Sequence, residues 1–293
     1  MHRRLTRIHP VVPYVAPMML FLAVVSLFPL LFSIYLSFSD IDPNLHLRLK
    51  GADNYINIVT DPKAWRSLWH SGVFTITSVL GQFILGMITA LLLNRGLHGR
   101  RWLRLALLLP WVIPPVVSTL TWRWMFDGEW GLINDILLRL GILKETWSWV
   151  GSRQTALLTA VVVNIWRGFP FLMIMFLAGL QTIPAEHYEA AHVDGATAAQ
   201  SFVYITIPGL RYTIAVSTTI SAIWAFKDFS IVFLLTEGGP AGSSEVVVTL
   251  VYKMFFQFSR FGEAAALGVI VLLILLGFAS FYVRMVTGRK DET

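Results

Sequence analysis

Pro184-Ala185-Glu186-His187-Tyr188-Glu189-Ala190-Ala191-His192-Val193-Asp194-Gly195-Ala196, running on to Ile205-Thr206-Ile207-Pro208, is a polar, alanine-rich insert between two long apolar segments. Pro184 suits a first helical turn, Glu186 and Glu189 lie near the positive end of the helix dipole, and Ala190 and Ala191 favour helix. Asp194-Gly195 then breaks the run. Asp194 is suited to cap a second helix, and Gly195 permits either a backbone angle or a close approach that a Cβ would block. Pro208 is expected to close that second helix. The pattern predicts two short helices at a sharp angle over 183–208, presenting carboxylates and small residues on a surface that suits docking into a cleft.

The flanking segments set the class. With 56% hydrophobic and 14% charged residues, the chain is too apolar for a soluble domain of ordinary composition and reads as an all-α, polytopic membrane protein. Six transmembrane helices are expected, at about 11–38, 71–93, 105–126, 154–180, 212–235 and 262–286, each long enough to cross a bilayer. Arg3, Arg4 and Arg7 ahead of the first run resemble a signal peptide. That run is too long, however, and Pro29 with no Ala-x-Ala site points to a retained span. Residues 40–69, with Pro43 and Pro62, read as a linker with short surface helices, and Gly81 and Gly86 mark places of close helix approach. Pro110, Pro114 and Pro115 predict a third span that is kinked and packed internally, because freed carbonyls need protein or a wet cavity. In the Trp-rich stretch 127–153, Leu132, Ile136, Leu137, Leu140 and Ile142 approximate the spacing of an interfacial helix.

Orientation follows from the short loops. The N-terminus, the basic loop 94–104 with Arg95, Arg100, Arg101 and Arg104, the insert and the C-terminal tail hold eleven basic against five acidic residues, whereas acids outnumber bases on the opposite side. This places the insert and both termini in the cytoplasm. Within the insert itself, Glu186, Glu189 and Asp194 stand against Arg211 alone. A basic cytoplasmic protein partner would explain that local excess of acid.

Other chemistry finds little footing. There are no cysteines, hence no disulfide framework and no thiolate metal site or nucleophile. There is no phosphate-binding Gly-x4-Gly-Lys-Ser/Thr loop, no dinucleotide fingerprint and no His-Glu-x-x-His. His187 and His192 are five apart, a poor spacing for joint metal ligation, and no catalytic constellation or nucleic-acid site is expected. The ionisable residues of the spans remain: Arg123, Arg167, Lys227 and Asp228. Arg123, in Trp122-Arg123-Trp124, reads as an interfacial snorkeller. Arg167 and Asp228 fit a structural ion pair or a polar substrate site equally well, and one place could be both.

Glu189-Ala190-Ala191, then Gly195, then Ile205-x-Ile207-Pro208 resembles the EAA loop of bacterial ABC-importer permeases, with Ile207 standing where Leu is usual. Leu180-Gln181-Thr182-Ile183-Pro184 and Thr236-x-Gly238-Gly239-Pro240 are similar to the carbohydrate branch, and the resemblance runs from about Val12 to the C-terminus. It implies a type I permease subunit in the cytoplasmic membrane, working by alternating access on a sugar or sugar-like solute. The implied partners are a second permease, two ATPase subunits carrying the ATP and magnesium that this chain does not bind, an extracytoplasmic solute-binding protein and membrane lipid. Glu186, Glu189, Ala190, Ala191, Asp194, Gly195, Ile205 and Pro208 would then couple the chain to its ATPases. By distance from the motifs, the sugar site of the maltose-permease type maps onto Asn164, Gly168, Phe171, Ser221, Ala225 and Asp228, and Arg167 joins them. Ala225 replaces an amide there, so one hydrogen bond is lost. Trp166, Phe169, Trp224 and Phe229 are candidate ring-packing neighbours, although ordinary interhelical packing explains them as well. Arg167 and Lys227 against Asp228 lead to the expectation of a neutral or weakly acidic saccharide or polyol. The rival class is an ion-coupled secondary transporter using Asp228 or Arg167, against which stand the few spans, the lack of an internal repeat and the docking insert.

Overall fold

The computed structural model describes residues 12–41, 46–96 and 98–287. Arg3, Arg4, Arg7, Pro43 and the C-terminal tail lie outside the described residues. The described residues divide into two compact units, one comprising those up to 62 with 251–273 and the other 63–250 with those from 274 on. Among the described residues four helices are long and apolar enough to cross a membrane, or up to six spans if each of two bent helix pairs counts as one. Apart from one short hairpin the described residues form an all-α fold.

The first unit opens with α1 (Val12–Leu22), a π-helical turn (Ala23–Leu27) and α2 (Phe28–Ser37). Strands β1 (Ser39–Ile41) and β2 (Leu47–Leu49) pair antiparallel with Ser39 opposite Leu49. Helix α3 (Asp53–Thr60) follows. The Nδ2 of buried Asn54 donates to the carbonyls of Ser37 and Ser39 at 3.0 and 2.8 Å, tying α3 to the end of α2.

In the second unit α4 (Pro62–Asn94) extends over 33 residues. It begins nine residues before the expected Ser71 boundary, so the end of the supposed linker is helical. Pro62 explains this, since a first-turn proline lacks only an N–H that would have no helical partner anyway. At about 1.5 Å per residue the helix is longer than a hydrocarbon core of roughly 30 Å. One face of α4 is buried throughout: Ser67, Ser71, Thr75, Ser78, Gln82, Gly86 and Ala90. A Cβ at Gly86 would lie 2.9 Å from Leu172 Cβ and 3.1 Å from the Met173 nitrogen, and one at Gly81 would meet Ile165. Both glycines serve the close approach read from sequence.

The third expected span is two helices, α5 (Arg100–Val112) and α6 (Pro115–Met125), at 93° to one another. This corrects two expectations. Arg100, Arg101 and Arg104 are helical rather than part of a loop, and the proline cluster breaks the helix instead of kinking it. Adjacent Pro114 and Pro115 remove two successive donors, and each proline pushes the residue before it to extended backbone, seen as ψ 131° at Ile113 and 139° at Pro114. Nor is the pair packed internally along its length, since Leu109, Trp111, Val112, Val116 and Val117 are exposed.

Beyond it, α7 (Leu132–Arg139) exposes Leu132 and Ile136. Buried Asn134 fixes this segment, donating to the Gly128 and Trp147 carbonyls at 2.8 and 3.0 Å and accepting from Trp149 Nε1 at 2.8 Å. Helix α8 (Ala156–Leu180) is the core of this unit. Its N-terminal half joins a cluster with Phe74, Phe126, Ala225, Ile231 and Leu235, and its C-terminal half one with Met87, Leu93 and Leu210. In lipid such contacts hold helices together by close packing rather than by exclusion of water.

After α8 come α9 (Ala185–Val193), α10 (Ala198–Ser201), a second π-helical turn (Phe202–Thr206), α11 (Ile207–Phe226) and α12 (Ser230–Thr236), with the last pair bent by 41°. Helix α13 (Val247–Phe256) and the long α14 (Phe261–Thr287) complete the described residues. Pro208 does not close a helix. The helix runs unbroken from Ala198 to Phe226. The wide turn Phe202–Thr206 ends one residue short of Pro208 and includes Tyr204, onto whose carbonyl, four residues back, a regular helix would force the proline ring.

Candidate functional site

Two breaks in the helices create the site. At the first, Pro114 and Pro115 end α5 and start α6. At the second, Asp228 competes with the backbone: its Oδ1 accepts from the N–H of Ile231 at 3.0 Å, starting α12 where α11 stops. Between them, against α4 and α8, lies a cavity of about 470 Å³ lined by residues from both breaks. Asn164, Arg167, Gly168, Phe171, Ser221, Ala225 and Asp228, all singled out from sequence, line it together. Trp224 and Phe229 line it as well, whereas Trp166 and Phe169 are not among its lining. Trp166 instead packs edge-on against Trp122 at 5.5 Å.

The polar groups are arranged in pairs. Arg167 Nη1 donates to Asp228 Oδ2 at 3.2 Å, with side chains 26% and 12% exposed. Gln82 Nε2 donates to the Asn164 carbonyl at 3.1 Å and to its Oδ1 at 2.8 Å. Gly168 makes room for that amide, since a Cβ there would lie 2.3 Å from Gln82 Nε2. Phe171 and Trp224 pack at 4.8 Å and Trp111 stands 6.3 Å from Phe171, giving the cavity an aromatic wall. Gln82, Trp111, Pro115 and Ser230 line the cavity but were not read from sequence. Gln82 carried a signal, because Ser71, Thr75, Ser78 and Gln82 recur at helical spacing and mark the inward face of α4. Arg123, rather than only snorkelling, donates to the Leu234 carbonyl near the end of α12 at 2.9 Å.

The insert forms a second feature. Glu186, Glu189, Ala190, Asp194, Gly195 and Pro208 are exposed, and Ala191 and Ile205 are half-buried. His187 and His192 are exposed, and among the described residues there is no cluster able to hold a metal. Pro184 is the residue just before α9, and Asp194 ends that helix rather than capping the next. The cap of α10 is Thr197, in a reciprocal capping box with Gln200. Gly195 has φ +76° and nothing within 4 Å of a Cβ, so of the two possibilities read from sequence the backbone angle is the one used. Tyr188 Oη and Thr206 Oγ1, 3.0 Å apart, tie α9 to the π-helical turn beneath α11.

The family described as "Binding-protein-dependent transport system inner membrane component" matches residues 82–290. A probable ABC transporter permease protein of Brucella suis biovar 1 (strain 1330) is 33% identical over 284 residues, covering 96% of this chain and 98% of its own. The trehalose/maltose transport system permease protein MalF of Thermococcus litoralis is 33% identical over 241 residues, covering 82% of this chain and 81% of its own. Among solved structures, a bacterial ABC transporter involved in the import of the acidic polysaccharide alginate has a chain of the same fold, with TM-score 0.78 and 23% identity over 93% of this chain and 94% of that one. The bent spans and the EAA-like insert thus find their place: the chain belongs to the binding-protein-dependent transport system inner membrane component family and is the membrane-spanning transport subunit of an ABC importer, not an enzyme.

Proposed function

We propose that this chain imports a sugar or sugar-like solute across the cytoplasmic membrane by alternating access, as one of two permeases. Of two ATPase subunits, one docks on the 183–208 insert and the other on the second permease, and an extracytoplasmic solute-binding protein delivers the solute to the opposite face. The observation that carries the reading is the cavity at the paired helix breaks, where polar side chains face an aromatic wall. Its volume of about 470 Å³ lies in the range of roughly 300–1,000 Å³ usual for small-molecule sites. The trehalose/maltose relative supports the carbohydrate class. The distribution of Lys and Arg supports an arrangement with the insert and both termini in the cytoplasm. Closing of the ATPases would then move the insert and, through α8 and α11, the walls of the cavity.

Uptake of radiolabelled saccharides into proteoliposomes holding the complete complex tests this. Uptake that needs ATP on the insert side and binding protein on the other supports it. Uptake that persists without ATP, or a complex that takes up no saccharide, contradicts it.

A further inference from the structure

The charges around the cavity do not balance. Arg167, Lys227 and Asp228 all line it. Both carboxylate oxygens of Asp228 are engaged within the chain, Oδ2 by Arg167 Nη1 at 3.2 Å and Oδ1 by the Ile231 N–H at 3.0 Å. The amide nitrogen of Gln82 is likewise engaged, by Asn164. Lys227 is exposed, and among the described residues its ammonium has neither a hydrogen bond nor an ion pair. Arg167 Nε is buried with no partner. What these charged side chains leave for a ligand is therefore donors and one uncompensated positive charge, with no free carboxylate.

At membrane depth an ammonium without a counter-ion is costly, and an arriving anion relieves that cost. Phe171 and Trp224 offer an apolar wall to the face of a sugar ring. Resting on the reading of this cavity as the sugar site, we propose that the substrate is a saccharide carrying one anionic group, such as a carboxylate or sulfate, which Lys227 binds. This departs from the neutral or weakly acidic saccharide or polyol expected from sequence, since it requires a charged group on the sugar.

The test uses the complete permease–ATPase complex in detergent without the binding protein, so that only the membrane site selects. Maltose, trehalose and cellobiose are each compared with the C6 uronate and the 6-sulfate of the same disaccharide, by equilibrium binding of labelled sugar. The expected result is that, for at least one disaccharide, an anionic form binds about tenfold or more tightly than the neutral one, with a preference that weakens as salt rises. Lys227→Met brings that ratio close to one and Lys227→Arg keeps it. Equal or tighter binding of the neutral forms in the wild type overturns the proposal while leaving the sugar reading intact. A preference that survives Lys227→Met also overturns it, as does a Lys227→Met complex that falls apart because Lys227 pairs with an acid of the second permease. Binding of none of the nine compounds overturns both readings.

Discussion

Arg167 on α8 reaches Asp228 at the break between α11 and α12, with Nη1 and Oδ2 3.2 Å apart. The span entering the insert and the span leaving it are thus joined by an ion pair at the cavity wall, and any motion of the insert reaches that pair through both helices.

Removing one partner of a buried pair costs more than removing both. With the two side chains 26% and 12% exposed, Asp228→Ala is expected to destabilise the complex by about 1–3 kcal/mol, below the 3–5 kcal/mol of a fully buried pair. The Arg167→Ala/Asp228→Ala double variant should recover much of this. Thermal unfolding of the purified complex measures both. Recovery of stability without recovery of uptake identifies a pair that also contacts solute, whereas wild-type uptake in Asp228→Ala removes it from the site.

Gly168→Ala places a methyl group 2.3 Å from Gln82 Nε2 and 2.4 Å from its Cδ. Gln82 is 4% exposed and bonded to Asn164, so it has little room to move aside. The expected cost is about 1–3 kcal/mol of overpacking, with loss of uptake. Gly168→Ala/Gln82→Ala should regain stability but not transport. Wild-type stability in Gly168→Ala alone would show that the contact yields.

The cavity was legible only in part, for physical reasons. Asn164 to Phe171 and Ser221 to Asp228 could be placed by their distance from the insert, because unbroken helix converts sequence separation into position. Gln82, Trp111 and Pro115 come from α4, α5 and α6, whose approach to α8 depends on tertiary packing and on the direction of the α5–α6 break. Proline was the least reliable sign. Pro114 and Pro115 turn the chain by 93°, while Pro208 interrupts nothing, because the π-helical turn before it widens to admit its ring. Thr197, by contrast, announces its cap through Gln200 three residues on.

Gly195 supplies a backbone angle, φ +76°, into open space. Gly195→Val is therefore expected to strain the turn by about 1–2 kcal/mol and to reduce uptake sharply. Gly195→Asn, with a side chain that tolerates this region, should retain much more. Uptake assays with the assembled complex separate the two, and equal activity of Val and Asn variants would show that the angle is unimportant.

Tyr188→Phe removes the hydroxyl 3.0 Å from Thr206 Oγ1, on a residue only 3% exposed. The stability cost is about 0.5–1.5 kcal/mol, small enough for the complex to assemble. Looser attachment of α9 to α11 should lower the solute moved per ATP hydrolysed. Parallel ATPase and uptake measurements read this ratio, and an unchanged ratio would mean that the hydrogen bond is only structural.

The most direct test of the cavity as the transport site uses the chain's lack of cysteine. Ser230→Cys puts a single thiol in the cavity wall, and Ser33→Cys puts one in the separate, apolar cavity lined by α2, α13 and α14. In the reconstituted importer, alkylation of this chain by N-ethylmaleimide is followed by mass spectrometry, with and without the saccharide that gives the highest uptake. The account predicts that the saccharide slows labelling of Ser230→Cys several-fold and leaves Ser33→Cys unchanged. Labelling of Ser230→Cys that is indifferent to saccharide, or slowed equally at both positions, would contradict it.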